Sequence, residues 1–280
     1  MSDASGGGRW SGAGARGVGG VLVVFGRRAV MEALALSGEG AVEVSSVHVL
    51  AGRGEVGGFG KELRRAARSA GVEVRSESAG SLRSITGEPR HDQGVAACVR
   101  LARVTEPVSW AGTLVGKRAA RPARVLAIDG VTNPQNVGML VRAAVGCGMD
   151  AVLWPASGTP WVSGLVVKSS ASAVLRAVVL RSSTALEGLA ELRGFGFRVI
   201  GLGGGGRGGA LWDHEPPHRA VYVIGSETRG VSEEAVSVVD EWVRIPMSGG
   251  VESLNAATAG AVVGFWVAGR DAARGGGAVG

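Results

Sequence analysis

Six short, nearly uninterrupted apolar runs recur through the second half of the chain. They are Val125-Leu-Ala-Ile128, Ala151-Val-Leu-Trp154, Ala177-Val-Val-Leu180, Phe197-Arg-Val-Ile200, Ala220-Val-Tyr-Val-Ile224 and Trp242-Val-Arg-Ile245. A strand with one wet face alternates apolar and polar residues; a continuous run belongs to a strand covered on both faces, as in a parallel sheet layered between helices. The intervals between runs suit the crossover helices that parallel strands require. The second half is therefore expected to be an α/β layered domain, with its ligand site beyond the carboxyl ends of the strands.

The first half reads as a smaller α/β domain. Phe25 to Leu36 suits a helix with Ala29, Val30, Ala33 and Leu34 on one face, Val44 to Leu50 a strand, and 60–70 a basic helix ending at Gly71. Val72 to Arg75 and Gly94 to Arg100 read as strands. The expected organisation is a disordered glycine-rich tail over 1–20, a substrate-binding domain over 21–103, a linker over 104–122 marked by Pro107, Pro122 and the basic stretch from Lys117, a second domain over 123–270, and a flexible tail over 271–280.

Charge divides along the same line. Of 30 lysines and arginines and 24 acids, residues 1–122 hold 17 and 11, and residues 123–280 hold 13 and 13. The net charge of +6 thus lies wholly in the first part, where it would attract phosphate backbones. No apolar run is long enough to span a membrane, and no signal-peptide core precedes a cleavage site. Cys98 and Cys147 form no C-x-x-C pair, which speaks against a disulfide framework or a cysteine zinc site and for a cytoplasmic location.

Two motifs point elsewhere and fail on physical grounds. Gly201-Leu-Gly-Gly-Gly-Gly206 matches the dinucleotide fingerprint, but glycines and then prolines follow where a helix N-terminus must meet the pyrophosphate. His214-Glu-Pro-Pro-His218 matches a zinc-protease signature, but two prolines forbid the helix that would align its histidines. His48 and His91 stand alone and read as structural or surface residues.

Three blocks carry chemistry. In Asp129 to Ala144 a strand ends at Asp129 and a helix begins near Asn136, with Gly138, Arg142 and Gly146 in a stripe that would leave the guanidinium unobstructed. In Val223 to Ser232 a strand ends at Gly225, which would let a ligand approach the backbone; Glu227 sits on the turn and Ser232 caps the next helix. In Ile245 to Ala259 a glycine-containing loop leads to a helix starting around Ser253, with Leu254, Ala257, Ala261, Phe265 and Trp266 as its apolar face. The small opposite face, Ala256, Gly260, Val263, Gly264 and Val267, suits close packing on another helix.

Together the blocks resemble the SpoU–TrmH family of SPOUT RNA methyltransferases, through Asn136-x-Gly138-x-x-x-Arg142, Gly225-Ser-Glu227-x-x-Gly230, and Ile245-Pro-Met247 leading to Ser253-Leu-Asn255. The resemblance covers about residues 123–270. Phe25-Gly-Arg27 and Gln93-Gly94-Val95 resemble, more weakly, the N-terminal RNA-binding domain of the RlmB-like branch. Two departures stand out: Asp92 separates His91 from Gln93, and Ala256-Ala257 follow Asn255 where the family has Val-Ser.

The resemblance implies a SPOUT-type parallel sheet with a C-terminal trefoil knot and S-adenosylmethionine as cofactor. Backbone groups of Gly225, Ile245 and Leu254 would hold it, with Gly201, Leu202, Glu227 and Met247 lining the pocket. Arg142 would inherit the role assigned to activating the ribose 2′-hydroxyl. A guanidinium with a pKa above about 12 is better suited to binding the target phosphate and orienting that hydroxyl. Asn136, Glu227, Ser253 and Asn255 would position substrate and loops. No metal is implied, and the partners would be RNA and a second copy of the chain. Ribosomal RNA of the 23S type is the expected substrate. The rivals are transfer RNA, a self-protecting enzyme of an antibiotic producer, a non-catalytic RNA-binding or ribosome-assembly factor, and a nicotinamide-dependent enzyme.

Overall fold

The structure is a computed structural model that describes residues 20–52, 58–87, 92–116, 120–204 and 206–275. Residues 1–19 of the expected 1–20 tail lie outside them, as do His91, Lys117 and Arg118. The chain divides into two compact units, 1–102 and 103–280.

In the first unit β1 (Leu22–Phe25), α1 (Arg27–Gly38), β2 (Val42–Leu50), α2 (Gly58–Ser69), β3 (Val74–Glu77), α3 (Ala79–Thr86) and β4 (Val95–Leu101) form a four-stranded sheet ordered β1-β4-β2-β3. β4 runs antiparallel to both β1 and β2, and β3 is parallel to β2. Val30, Ala33 and Leu34 are buried beneath α1, as their spacing predicts. α2 buries Gly60, Leu63 and Ala67 and exposes Lys61, Arg64, Arg65 and Arg68. The strand β1 and the helix α3 were not anticipated; both are short. Gly26, at φ 90°, brings no side chain to cap α1, so the Gln93 side chain accepts a hydrogen bond from Arg27 N (3.0 Å). The two motifs of the N-terminal resemblance thus touch across 66 residues of chain.

The second unit comprises β5 (Val104–Thr105), α4 (Pro107–Ala111), β6 (Ala123–Ile128), α5 (Pro134–Gly146), β7 (Ala151–Leu153), α6 (Gly164–Ser169), β8 (Val179–Leu180), α7 (Ala185–Gly194), β9 (Arg198–Leu202), β10 (Gly209–Ala210), β11 (Arg219–Ile224), α8 (Glu233–Val236), β12 (Glu241–Arg244) and α9 (Ala256–Gly275). Its eight-stranded sheet, ordered β10-β12-β9-β11-β6-β7-β8-β5, is parallel throughout. Both faces are covered. Val125, Ala127, Val199, Val221 and Val223 pack with Leu189 and Leu192 of α7 and Ala235 of α8. Their alternate neighbours Ile200, Ala220 and Tyr222 pack with Val263 and Val267 of α9. This two-sided burial is the reason the runs are continuous.

Several expectations are corrected. Within the presumed linker, β5 pairs with β8, and Ala111 and Leu114 enter the core. The presumed C-terminal tail is helical through Gly275. The small face of α9 is used inside the chain: a Cβ on Gly260 would lie 2.4 Å from Leu140 Cδ2, and one on Gly264 2.6 Å from Cys147 Sγ. Phe265 points outward, 56% exposed. Gly138 does not clear space around Arg142; a Cβ there would meet Ser169 Oγ at 2.0 Å and Val166 O at 2.7 Å, so it lets α6 approach α5.

The end of α9 is anchored to the sheet by a bidentate pair: Arg124 of β6 donates from Nε and Nη2 to the two Asp271 carboxylate oxygens at 2.8 and 2.7 Å. Arg124 is buried and also donates to the carbonyls of Ala123 and His218. Asp271→Ala leaves this guanidinium without its counter-charge. We predict a loss of about 3–5 kcal/mol in urea unfolding, the usual effect of breaking a buried pair; an unchanged midpoint would show that the pair does not anchor α9.

Candidate active site

β12, β9 and β11 are parallel neighbours, so the segments leaving their carboxyl ends lie side by side. Between them opens a cleft of about 410 Å³, a size suited to a small organic ligand. Leu202, Gly203 and Gly204 form one wall, the turn from Gly225 to Val231 a second, and Ile245, Met247, Ser253, Leu254 and Ala259 a third.

Each wall has a local cause. Gly203 and Gly208 permit close passage; Cβ atoms there would lie 2.6 Å from Arg207 O and 2.3 Å from Trp242 O. The second wall is a tight return in which Ser226 and Gly230 exchange backbone hydrogen bonds at 2.9 and 2.8 Å. Gly225 is required there by the return itself: its Cβ would lie 2.0 Å from Gly230 C and 2.2 Å from Val231 N. Asp129, buried at the end of β6, accepts Ser232 N at 2.6 Å and holds the far end of the turn. In the third wall Gly249 and Gly250 adopt φ of 67° and 75°, turning the chain toward α9.

A polar cluster fastens the walls together. Glu227 Oε1 accepts hydrogen bonds from Asn136 Nδ2 and Asn255 Nδ2, both at 2.6 Å, and lies 3.4 Å from Ala256 N. Asn255 Nδ2 also donates to Asn136 Oδ1 at 3.2 Å, while its own Oδ1 accepts Ala257 N at 2.9 Å and caps α9. The Glu227 carboxylate thus stands at the N-terminus of a 20-residue helix, where the dipole favours negative charge. Three residues far apart in sequence meet here, one from each block.

Of the residues singled out in the sequence, Leu202, Gly225, Glu227, Ile245, Met247, Ser253 and Leu254 line the cleft. Asn136 and Asn255 stand behind Glu227. Gly201 does not line it: it is buried under Trp242, whose ring would lie 2.7 Å from a Cβ. Arg142 is not brought to the cleft either. It lies exposed on α5, with no hydrogen-bond partner among the described residues.

Sequence reasoning missed Trp242 and Arg207, whose guanidinium stacks 3.7 Å above the Trp242 ring at the cleft's edge. It also missed Arg229 and Glu252 on the walls. Arg229 lies at a variable position inside the Gly225–Gly230 motif and Glu252 directly precedes Ser253; nothing in the sequence marks Arg207 or its pairing. The two discounted motifs are resolved as expected. The chain after Gly206 enters β10 rather than a helix, and His214 is bonded to Glu241 (2.7 Å) and Tyr222 (3.1 Å) while His218 approaches the Ala120 carbonyl. No cluster of metal-ligating side chains occurs among the described residues.

Comparison with known proteins places this geometry. The profile of the SpoU rRNA Methylase family matches residues 123–265. An uncharacterized tRNA/rRNA methyltransferase of Mycobacterium avium (strain 104) is 32% identical over 240 residues, covering 86% of this chain and 74% of its own. The 23S rRNA (guanosine-2′-O-)-methyltransferase RlmB of Xanthomonas axonopodis pv. citri (strain 306) is 33% identical over 204 residues, 73% of this chain and 80% of its own. A TrmH-family structure from Porphyromonas gingivalis superposes with a TM-score of 0.69 at 26% identity, covering 88% and 89% of the two chains. The SpoU methyltransferase AviRb of Streptomyces viridochromogenes, solved with AdoMet, shares the fold at a TM-score of 0.72 and 21% identity, over 89% and 90%.

The tight return at Gly225 yields a direct prediction. Gly225→Ala forces a methyl group into the Gly230–Val231 backbone, which cannot yield as a side chain would. The variant is expected to lose about 1–3 kcal/mol of stability, as overpacking does, with a more than proportionate loss of ligand binding. A variant indistinguishable from the parent in thermal melting and ligand affinity would contradict the arrangement of this wall.

Proposed function

The chain belongs to the SpoU rRNA Methylase family and is an S-adenosylmethionine-dependent RNA 2′-O-methyltransferase, and we propose that its substrate is ribosomal RNA of the 23S type. The observation that carries the proposal is the cleft joined through Glu227 to Asn136 and Asn255, preceded by a separate unit with an exposed basic helix. The Xanthomonas relative, by name a 23S rRNA enzyme, matches nearly three quarters of this chain. Transfer RNA is the second reading, supported by the Mycobacterium relative's name. A non-catalytic factor would have no use for the linked Asn136, Glu227 and Asn255.

The residues of the cleft fit S-adenosylmethionine. Leu202, Ile245, Met247 and Leu254 offer apolar surface for a flat purine, and Glu227 and Glu252 offer negative charge to its ammonium and sulfonium groups. When bound, it supplies a methyl group already activated by the positive sulfur. The protein's part is then placement. Glu227, held by two amides, keeps its carboxylate fixed rather than mobile in solvent, and Ser253 presents a hydroxyl at the mouth of α9. Arg142 binds the target phosphate and orients the ribose hydroxyl toward the methyl group; the gain is one of proximity and orientation.

Arg142 lies outside its own chain's cleft, so this role requires a second copy. Phe265 of α9 and Met139 of α5, 56% and 40% exposed, lie on helices that pack against each other, and a Cβ on Gly146 of α5 would be 3.7 Å from the Phe265 ring. A homodimer through this α5–α9 surface would carry Arg142 of one chain to the cleft of the other.

The test is methyl transfer from labelled S-adenosylmethionine to purified ribosomal or transfer RNA, with the modified ribose mapped. Label in ribosomal RNA is expected; label confined to transfer RNA would overturn the substrate proposal. Arg142→Ala and the cleft-filling Leu254→Trp should each be inactive, whereas co-refolded mixtures should recover about a quarter of wild-type activity, because half the dimers then carry one intact site. No recovery from mixed dimers would refute the shared site.

A further inference from the structure

The first unit contains a chain of reactive side chains that the proposed reaction does not use. Cys98 of β4 and Ser46 of β2 are register partners on one face of the four-stranded sheet, with His48 two residues further along β2. His48 is 7% exposed. Its Nε2 lies 2.9 Å from Ser46 Oγ and 3.9 Å from Cys98 Sγ, and its Nδ1 lies 2.8 Å from Glu77 Oε1 on β3. Glu77 is itself fixed by the Ser81 hydroxyl from the first turn of α3. Cys98 is half-buried and His48 is buried. Thiol, imidazole and carboxylate are thus ordered as nucleophile, base and orienting group.

We propose that Cys98 is a nucleophilic thiol activated by the His48–Glu77 pair, and that it is the site at which a hydroperoxide oxidises this protein. The carboxylate holds the proton on Nδ1 and leaves Nε2 to take the thiol proton. The sulfur then attacks the terminal oxygen of the hydroperoxide. An S–O bond forms as the O–O bond breaks, and the departing oxide takes the proton from His48 and leaves as water or an alcohol. Sulfur is oxidised by two electrons to the sulfenic acid as the peroxide is reduced.

The electrostatic surroundings agree with this geometry. Hydrogen bonding to His48 holds the Cys98 thiol below the ordinary range against the opposing effect of burial, and the same contact raises the imidazole. The charged groups that act on the sulfur are His48 on β2 and, more weakly, Arg75 on β3, which is ion-paired with Glu73; Glu77 reaches it through His48. Arg100, two residues along β4, is paired with Glu43. Cys147 supplies the contrast within the same chain. Its thiol donates to the Ala144 carbonyl, and burial pushes its pKa up.

The experiment treats the full chain with equimolar hydrogen peroxide, traps sulfenic acid with dimedone and quantifies both cysteine peptides by mass spectrometry. At pH 6.5 Cys98 should be labelled at least about tenfold faster than Cys147, and its iodoacetamide alkylation should titrate with a midpoint below the roughly 8.5 of a free thiol. His48→Gln should bring Cys98 down to the rate of Cys147. If that variant does not fold, the pH profile of the unaltered protein decides. Equal labelling of the two cysteines, or an alkylation midpoint at the free-thiol value, would overturn the proposal.

Discussion

The second unit depends on one carboxylate. Glu227 receives the amides of Asn136 and Asn255, and those three residues arrive from the ends of different strands in an eight-stranded sheet. Charge-assisted hydrogen bonds of this kind are about twice as strong as neutral ones. Their value here lies in what they join: the start of α5, the return between β11 and α8, and the N-terminus of α9. Without them each loop would be an independent surface segment. With them, three polar turns become the walls of a single cleft, and the buried Asn136 has a partner for both its amide nitrogen and its amide oxygen.

The sheet makes that meeting possible, and it was the most legible part of the sequence. Strands buried on both faces have no freedom to alternate, so β6, β7, β9 and β11 announce themselves as apolar runs. Brevity alone does not hide a strand, since the two residues of β8 end an apolar run; β5 and β10, also two residues each, lie in no such run, and β5 falls in a proline-marked stretch that reads as a linker. The orientation of α9 was equally hard to read. Alanine, glycine, valine and phenylalanine surround its whole circumference, so hydrophobic periodicity cannot say that Gly260 and Val263 face inward while Phe265 faces solvent.

Glycine was the least informative letter in this chain of 49 glycines. Gly225, Gly138 and Gly201 stood out in the sequence, but the neighbours each makes room for did not. The first accommodates the Gly230 backbone, the second admits α6, and the third underlies Trp242. What a missing side chain makes room for is a tertiary fact. The dinucleotide and zinc motifs each require a helix that local residues forbid, and no α-helix forms at either place among the described residues. Arg142 shows the remaining limit: its motif was legible, while its place on an exposed face of α5, outside the cleft, was not.

If a fixed Glu227 organises the cleft for S-adenosylmethionine, freeing the walls must weaken binding. Titration calorimetry on the parent and on Glu227→Ala tests it most directly. The parent should bind one S-adenosylmethionine per chain, and the variant, still folded, should bind at least about tenfold more weakly, the equivalent of roughly 1.4 kcal/mol for lost hydrogen bonds. Undiminished affinity in the variant, or no binding by the parent, would contradict the account.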